Sequence, residues 1–135
     1  MLESPTSSPQ PAANPPTSKV TQADIEIVRR VEAILDSPTK WDRASTDHCQ
    51  PTAKTFGLYC AFEAASMAVA GKFDDDEAAI NETRLLITNT APNAPKYQAR
   101  LIDYNNDPTV TLADVQRLLK MVEINLEKRA VLQGQ

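Results

Sequence analysis

Apolar residues at helical spacing mark both ends of the folded part of this chain. The N-terminal stripe consists of Ile27, Val28, Val31, Ile34 and Leu35. The C-terminal stripe consists of Leu112, Val115, Leu118, Leu119, Val122 and Leu126. Spacings of three and four place each set on one face of an amphipathic helix. Each helix opens on Thr-x-Ala-Asp, at Thr21 and Thr111, where a threonine hydroxyl can accept the hydrogen bond of an unpaired first-turn amide.

The middle of the chain predicts further helices. Residues 56–70 are the most apolar segment, rich in small side chains and followed by Gly71, which indicates a central buried helix. An acidic run at residues 74–77 favours the start of a third helix that continues to about Thr88. Residues 96–104 are consistent with a short helix, and residues 105–108 form a turn by composition. The prediction is an all-α fold, an irregular bundle of about four helices without strands.

Two polar segments flank the first helix. Residues 1–18 hold five of the ten prolines and almost no large apolar side chain, so they predict a disordered arm ahead of a single helical domain at 19–135. Residues 39–55 are polar and turn-like, and a loop of this length is either functional or held by an anchor such as Trp41.

Composition narrows the classes of function. Three glycines are too few for a phosphate-binding loop or a dinucleotide fingerprint. A net charge of −4, without a basic stripe, disfavours nucleic-acid binding. No segment has the pattern of a secretion signal or a membrane span, so we expect a cytoplasmic protein that does not bind membranes. In that reducing compartment Cys49 and Cys60 are expected to be thiols.

Cys60 carries the sharpest enzymatic hypothesis. It stands near the start of the predicted buried helix, where amide dipoles lower the pKa of a thiol, and His48 is the only histidine that could accept its proton. Asp47 or Asp107 could complete such a set. The alternative, which the sequence favours, is that Cys60 is a small core residue. One histidine and two cysteines without zinc-ligand spacing predict no metal site, and no cofactor is indicated.

A polar cluster at Asn105, Asn106 and Asp107 precedes the last helix. The reading that the sequence favours is structural, with side-chain oxygens closing a turn that leads into this helix. The alternative is a binding site at one mouth of the bundle. Its candidate residues are Trp41, His48, Tyr104, Asn105, Asn106 and Asp107.

The order of these features resembles a family of small helical proteins of unknown function from bacteria and phages. The resemblance spans about Ile25 to Ala130 and runs from the first helix through Trp41 and the Cys60 helix to the Asn-Asp sequence before Thr111. The family usually has Gly in place of Glu63 and Trp or Phe in place of Tyr104. The resemblance implies a compact helical domain and no activity.

These observations favour a non-enzymatic binding or accessory protein that acts through contacts with an unidentified protein partner. The prediction rests on the lack of a complete catalytic set, phosphate loop, metal site or basic face. The alternative is a cysteine-dependent hydrolase or transferase that uses Cys60 with His48.

Overall fold

The computed structural model describes residues 19–134 and confirms the all-α prediction. The helices are α1 (Gln22–Ile34), α2 (Leu58–Ala70), α3 (Ala78–Thr90), α4 (Arg100–Asn106) and α5 (Leu112–Gln133), with a 3₁₀ turn at Ala94–Lys96. The described part of the chain therefore holds five helices rather than four, because the short helix expected near residues 96–104 forms as α4. The predicted disordered arm, residues 1–18, lies outside the described residues.

The two amphipathic stripes meet in one core. Helix α1 packs against α2 and α5, α3 packs against α5, and α4 closes the bundle against α2 and α3. Val28 and Val31 of α1 are fully buried, as are Leu119 and Leu126 of α5. Phe62 of α2 is the largest fully buried side chain. The N-terminal part of the predicted central helix thus lies in the core, whereas its last turn is partly exposed, with Met67 52% exposed.

Capping boxes begin both α1 and α5, as the repeated Thr-x-Ala-Asp sequence predicts. Thr21 Oγ1 accepts from the Asp24 amide at 3.3 Å, and the Asp24 carboxylate accepts from the Thr21 amide at 2.8 Å. At α5, Thr111 Oγ1 accepts from the Asp114 amide at 3.1 Å, and the Thr111 amide donates to Asp114 at 2.9 Å. These reciprocal bonds satisfy amides that a helix leaves unpaired at its N-terminus.

Helix α3 begins differently from the prediction. Its N-cap residue, Glu77, makes no capping bond, and its carboxylate instead accepts from the Ser66 hydroxyl at 2.8 Å. The buried Asp24 of α1 supplies the acceptor, because its Oδ1 lies 3.2 Å from the Ala79 amide. A carboxylate from another helix therefore stabilises the first turn of α3, where the sequence indicated the local acidic run.

Two predicted boundaries also move. The central helix begins at Leu58 because the backbone of Phe56 is paired with the loop beside Trp41 in an isolated parallel bridge. The Phe56 amide donates to Lys40 O at 2.8 Å, and Phe56 O accepts from the Asp42 amide at 2.9 Å. Asn105 and Asn106 were expected in a turn but form the last residues of α4, and the turn follows from Asp107.

A pair of carboxyl groups connects α1 to α5. Glu32 and Glu123 are hydrogen-bonded to each other, and Lys120 lies 3.7 Å from Glu32 and 3.1 Å from Glu123. Arg29 also donates to Glu123 at 2.9 Å. Burial and the bond to Glu123 raise the pKa of Glu32 to about 7. Burial alone would raise the pKa of Glu123, but hydrogen bonds from Arg29, Glu32 and Lys120 hold it below its ordinary value.

The raised pKa of Glu32 predicts that the unfolding free energy depends on pH. A carboxyl whose pKa is raised by folding stabilises the native state fully below its unfolded pKa, and that contribution is lost as pH rises through about 7. Glu32→Gln keeps a hydrogen-bond donor towards Glu123 without the titration. We expect its unfolding free energy to fall less between pH 5.5 and pH 8 than that of the native chain, by about 1–3 kcal/mol.

Urea unfolding of both chains at the two pH values measures this difference, and comparing the two chains cancels the titration of groups that do not interact with Glu32. Equal pH dependence in both would show that Glu32 has an ordinary pKa. Glu26→Gln, an exposed change on the same helix, is the control.

Candidate functional site

Asn105 fastens the long loop between α1 and α2 to the end of α4. Its side chain is fully buried, and its Oδ1 accepts from Trp41 Nε1 at 2.6 Å and from the Leu58 amide at 3.0 Å. Its Nδ2 donates to Asp42 O and to Asn106 Oδ1, both at 2.9 Å. All of its hydrogen-bonding capacity is used inside the protein. Trp41 is therefore the anchor of the loop, as its position suggested.

Asn106 holds the next part of the same loop. Its Oδ1 accepts from the Ser45 amide at 2.9 Å, and its Nδ2 donates to Ser45 O at 2.7 Å, so one side chain pairs with both backbone groups of a buried residue. Gly57 permits this approach, since a Cβ atom there would lie 2.3 Å from Ser45 Cβ. Ser45 and Gly57 are thus required by the anchor, although neither stands out in the sequence.

Arg43 joins the loop to the α4–α5 connection. Its guanidinium lies 4.8 Å from the centre of the Trp41 ring, a cation–π contact. It donates to Asp107 O at 2.8 Å and also to Val110 O. Sequence reasoning missed Arg43, because one arginine in a polar loop carries no pattern that shows what it contacts.

Asp107 is saturated with hydrogen bonds. Its Oδ1 accepts from the amide and hydroxyl of Thr109 at 2.9 and 2.8 Å, which closes the predicted turn into α5. Its Oδ2 accepts from the Tyr97 hydroxyl at 2.6 Å and from Asn93 Nδ2 at 2.9 Å. These donors hold the pKa of Asp107 well below its ordinary value. Burial and the bond to Asp107 raise the pKa of Tyr97.

The structure separates the predicted binding residues into three places. Trp41, Asn105 and Asn106 form the loop anchor, whereas Tyr104 and Asp107 line a cleft of about 500 Å³ between α3, the α4–α5 connection and α5. His48 lies elsewhere, exposed in a smaller cleft of about 320 Å³ in the loop. The proposed common mouth containing Trp41 and His48 is therefore not formed, and the structural reading of the Asn-Asn-Asp cluster accounts for its hydrogen bonds.

The expectation that both cysteines are thiols is wrong in this structure. Cys49 and Cys60 form a disulfide that joins the loop to the first turn of α2. Cys60 is buried, as the structural interpretation expected. It lines the same cleft as His48, but its sulfur is bonded and provides no nucleophile. Asp107, suggested as a third member, lines the other cleft.

Residues 19–134 hold neither a cluster of metal-ligating side chains nor a membrane-spanning helix. In that range no group of three or more His, Cys, Asp or Glu side chains is arranged to hold a metal ion. None of its helices combines the length and apolar character needed to cross a membrane.

Comparison of the chain with known protein families, with curated proteins and with solved structures finds no match. The resemblance to the bacterial and phage family therefore stays a prediction.

Replacing Asn105 tests the loop anchor. Asn105→Ala leaves the Trp41 indole N–H and the Leu58 amide without their acceptor, so we expect a loss of about 2–5 kcal/mol in unfolding free energy. Denaturant unfolding followed by Trp41 fluorescence measures it. The control is Asn89→Ala, an exposed change in α3 expected to stay within about 0.5 kcal/mol. Similar small losses for both variants would contradict an anchoring role.

Removing the disulfide tests the second fastening of the loop. It closes a loop between residues 11 apart in sequence, for which chain entropy gives a stabilisation of about 3 kcal/mol. We expect Cys49→Ala and Cys60→Ala to lose similar amounts, with Cys60→Ala losing slightly more because its side chain is buried. Thermal unfolding with and without reductant provides the measurement. The disulfide would be refuted if reductant left the melting temperature of the native chain unchanged and both thiols reacted with a thiol reagent.

Proposed function

We propose that this protein is a non-enzymatic binding protein that acts through protein–protein contacts, and that the outer face of α5 is its binding surface. The observation that carries the proposal is an exposed apolar stripe on a helix whose opposite face is already in the core. Met121, Val131 and Leu132 are 47%, 63% and 71% exposed. Ile124 lies between them at helical spacing and is half-buried.

This outer stripe is separate from the core stripe of the same helix. At 100° per residue, Met121, Ile124, Lys128 and Leu132 lie on one face, and Val122 and Leu126 point to the other side. The stripe extends for about 16 Å from Met121 to Leu132, a length that a partner helix of three turns can cover. Exposed apolar residues grouped on one face are typical of interaction surfaces.

Charge favours an acidic partner. Lys128 is exposed in the middle of the stripe, and within residues 19–134 no carboxylate forms an ion pair with it. Arg117 stands at the N-terminal end of the same face and is bonded to Asp114. We therefore propose an amphipathic helix with acidic residues beside its apolar face as the partner. A second copy of this chain is a less suitable partner, because both copies carry a net charge of −4 and each brings its own Lys128 to this face.

The cellular compartment and the family membership of this protein are also part of the proposal. The sequence favours the cytoplasm, while a disulfide is typical of oxidising compartments. The redox state of Cys49 and Cys60 in the chain isolated from its host, trapped with a thiol-blocking reagent, decides between the cytoplasm and an oxidising compartment.

Membership of the bacterial and phage family is likewise proposed, on the basis of the order of the sequence features. The cysteine-hydrolase alternative is not supported, because Cys60 lacks a free thiol.

Affinity purification from the native host tests the binding surface. The chain would be compared with a stripe variant, Lys128→Glu with Leu132→Ser, and with a matched control, Lys72→Glu with Met67→Ser. Met67 is as exposed as the stripe residues, at 52%, but lies on α2. We expect a partner retained by the native chain and by the control to be lost from the stripe variant.

The affinity of the purified partner is then measured by fluorescence anisotropy. The stripe variant should weaken binding more than tenfold, and the native affinity should fall as salt rises from 50 to 300 mM because the charges are screened. Equal binding by the stripe and control variants would place the contact elsewhere. Self-association that the stripe variant abolishes would show that the occupant is a second copy.

A further inference from the structure

The cleft of about 500 Å³ is a second candidate surface, which shares only Arg117 and Met121 with the proposed partner-binding face. It lies beside the N-terminal half of α5, and its apolar wall comes from Leu86, Val110, Leu118 and Met121. Its volume falls within the range of pockets that hold small organic molecules, about 300–1,000 Å³. Such pockets bind with specificity when a few polar groups in an apolar wall remain available to the ligand.

Tyr104 supplies one such polar group. Its side chain is 7% exposed and lines the cleft, and within residues 19–134 its hydroxyl has no hydrogen-bond partner. Tyr104 lines the cleft together with Asp107, Asp114 and Arg117, whose charges act on its hydroxyl. Burial, with the charge of Asp114, raises the pKa of Tyr104 to about 12, so the proton is present at neutral pH.

The other polar groups of the cleft are engaged. The Tyr97 hydroxyl donates to Asp107, whose carboxylate already accepts four hydrogen bonds. Asp114 accepts from the Thr111 amide and from Arg117. Tyr104 is thus a buried donor without an acceptor, a condition that costs free energy until a ligand or water supplies the missing oxygen. Two aspartates against one arginine disfavour an anionic ligand.

We propose that this cleft binds a neutral, largely apolar organic molecule about the size of a substituted aromatic ring, whose carbonyl-type oxygen accepts a hydrogen bond from the Tyr104 hydroxyl. Apolar contact with the Leu118 and Met121 side chains drives the binding, and the hydroxyl selects the oxygen. This inference does not depend on the proposed partner helix, because the variants that test the helix leave the cleft residues unchanged.

Methyl-detected NMR titration of the full chain tests the inference with three probes: acetophenone, ethylbenzene as a similarly sized molecule without oxygen, and benzoate as an anion. We expect acetophenone to shift the methyl signals of Val110, Leu118 and Met121, with a weaker response to ethylbenzene and none to benzoate. Tyr104→Phe removes only a hydroxyl that lacks a partner, so the variant should fold with an unchanged or higher melting temperature. It should bind acetophenone about fivefold more weakly, as expected for one lost hydrogen bond.

Tyr59→Phe, on α2 and outside the cleft, is the matched control and should bind acetophenone like the native chain. Equal binding of acetophenone and ethylbenzene to the native chain would overturn the role of Tyr104 without requiring any variant. An unchanged acetophenone affinity in Tyr104→Phe would do the same. If no probe binds the full chain, and deletion of residues 1–18 shifts the cleft methyl signals, that segment occupies the cleft. The proposed small-molecule site is then refuted.

Discussion

The fold depends on one buried amide. Asn105 sits at the last turn of α4 and bonds at once to the Trp41 indole, to the first amide of α2 and to the backbone of the α1–α2 loop. No apolar side chain could replace it, because a long polar loop crosses the end of the bundle here and its backbone groups need partners away from water. A single residue of α4 therefore positions two segments that are distant from it in sequence, the loop at Trp41 and the start of α2.

The consequences extend from Asn105 along the chain. Asn106 fixes Ser45, and Asp107 fixes the turn into α5 while binding the Tyr97 hydroxyl. Arg43 then connects the loop back to this turn through Asp107 O. The cluster gives α5 a defined starting point, and the orientation of α5 sets both the cleft beside Tyr104 and the outer stripe. A structural network thus determines the geometry of two surfaces, of which it forms only part of the cleft, through Asp107 and Tyr97.

The sequence predicts well what depends on local spacing. The apolar faces of α1 and α5 and their threonine caps follow from periodicity and from neighbouring residues, and all are confirmed. It predicts poorly what depends on pairs far apart in the chain. The Asp24 carboxylate reaching the start of α3, the Arg43 contacts and the disulfide all join residues whose proximity exists only after folding. Asn105 stood out by composition, but its partners could not be identified from the sequence.

Hydrogen-bond saturation separates structural polar residues from those available for binding. Asn105, Asn106 and Asp107 attract attention as a polar cluster, yet their oxygens are occupied within the protein, so a ligand would have to break existing bonds to reach them. Tyr104 immediately precedes this cluster and differs in one respect, since its buried hydroxyl has no acceptor within residues 19–134. No protein group within residues 19–134 therefore compensates for desolvating that hydroxyl. A ligand oxygen would, and this is the physical reason to look for binding at Tyr104 rather than at its more polar neighbours.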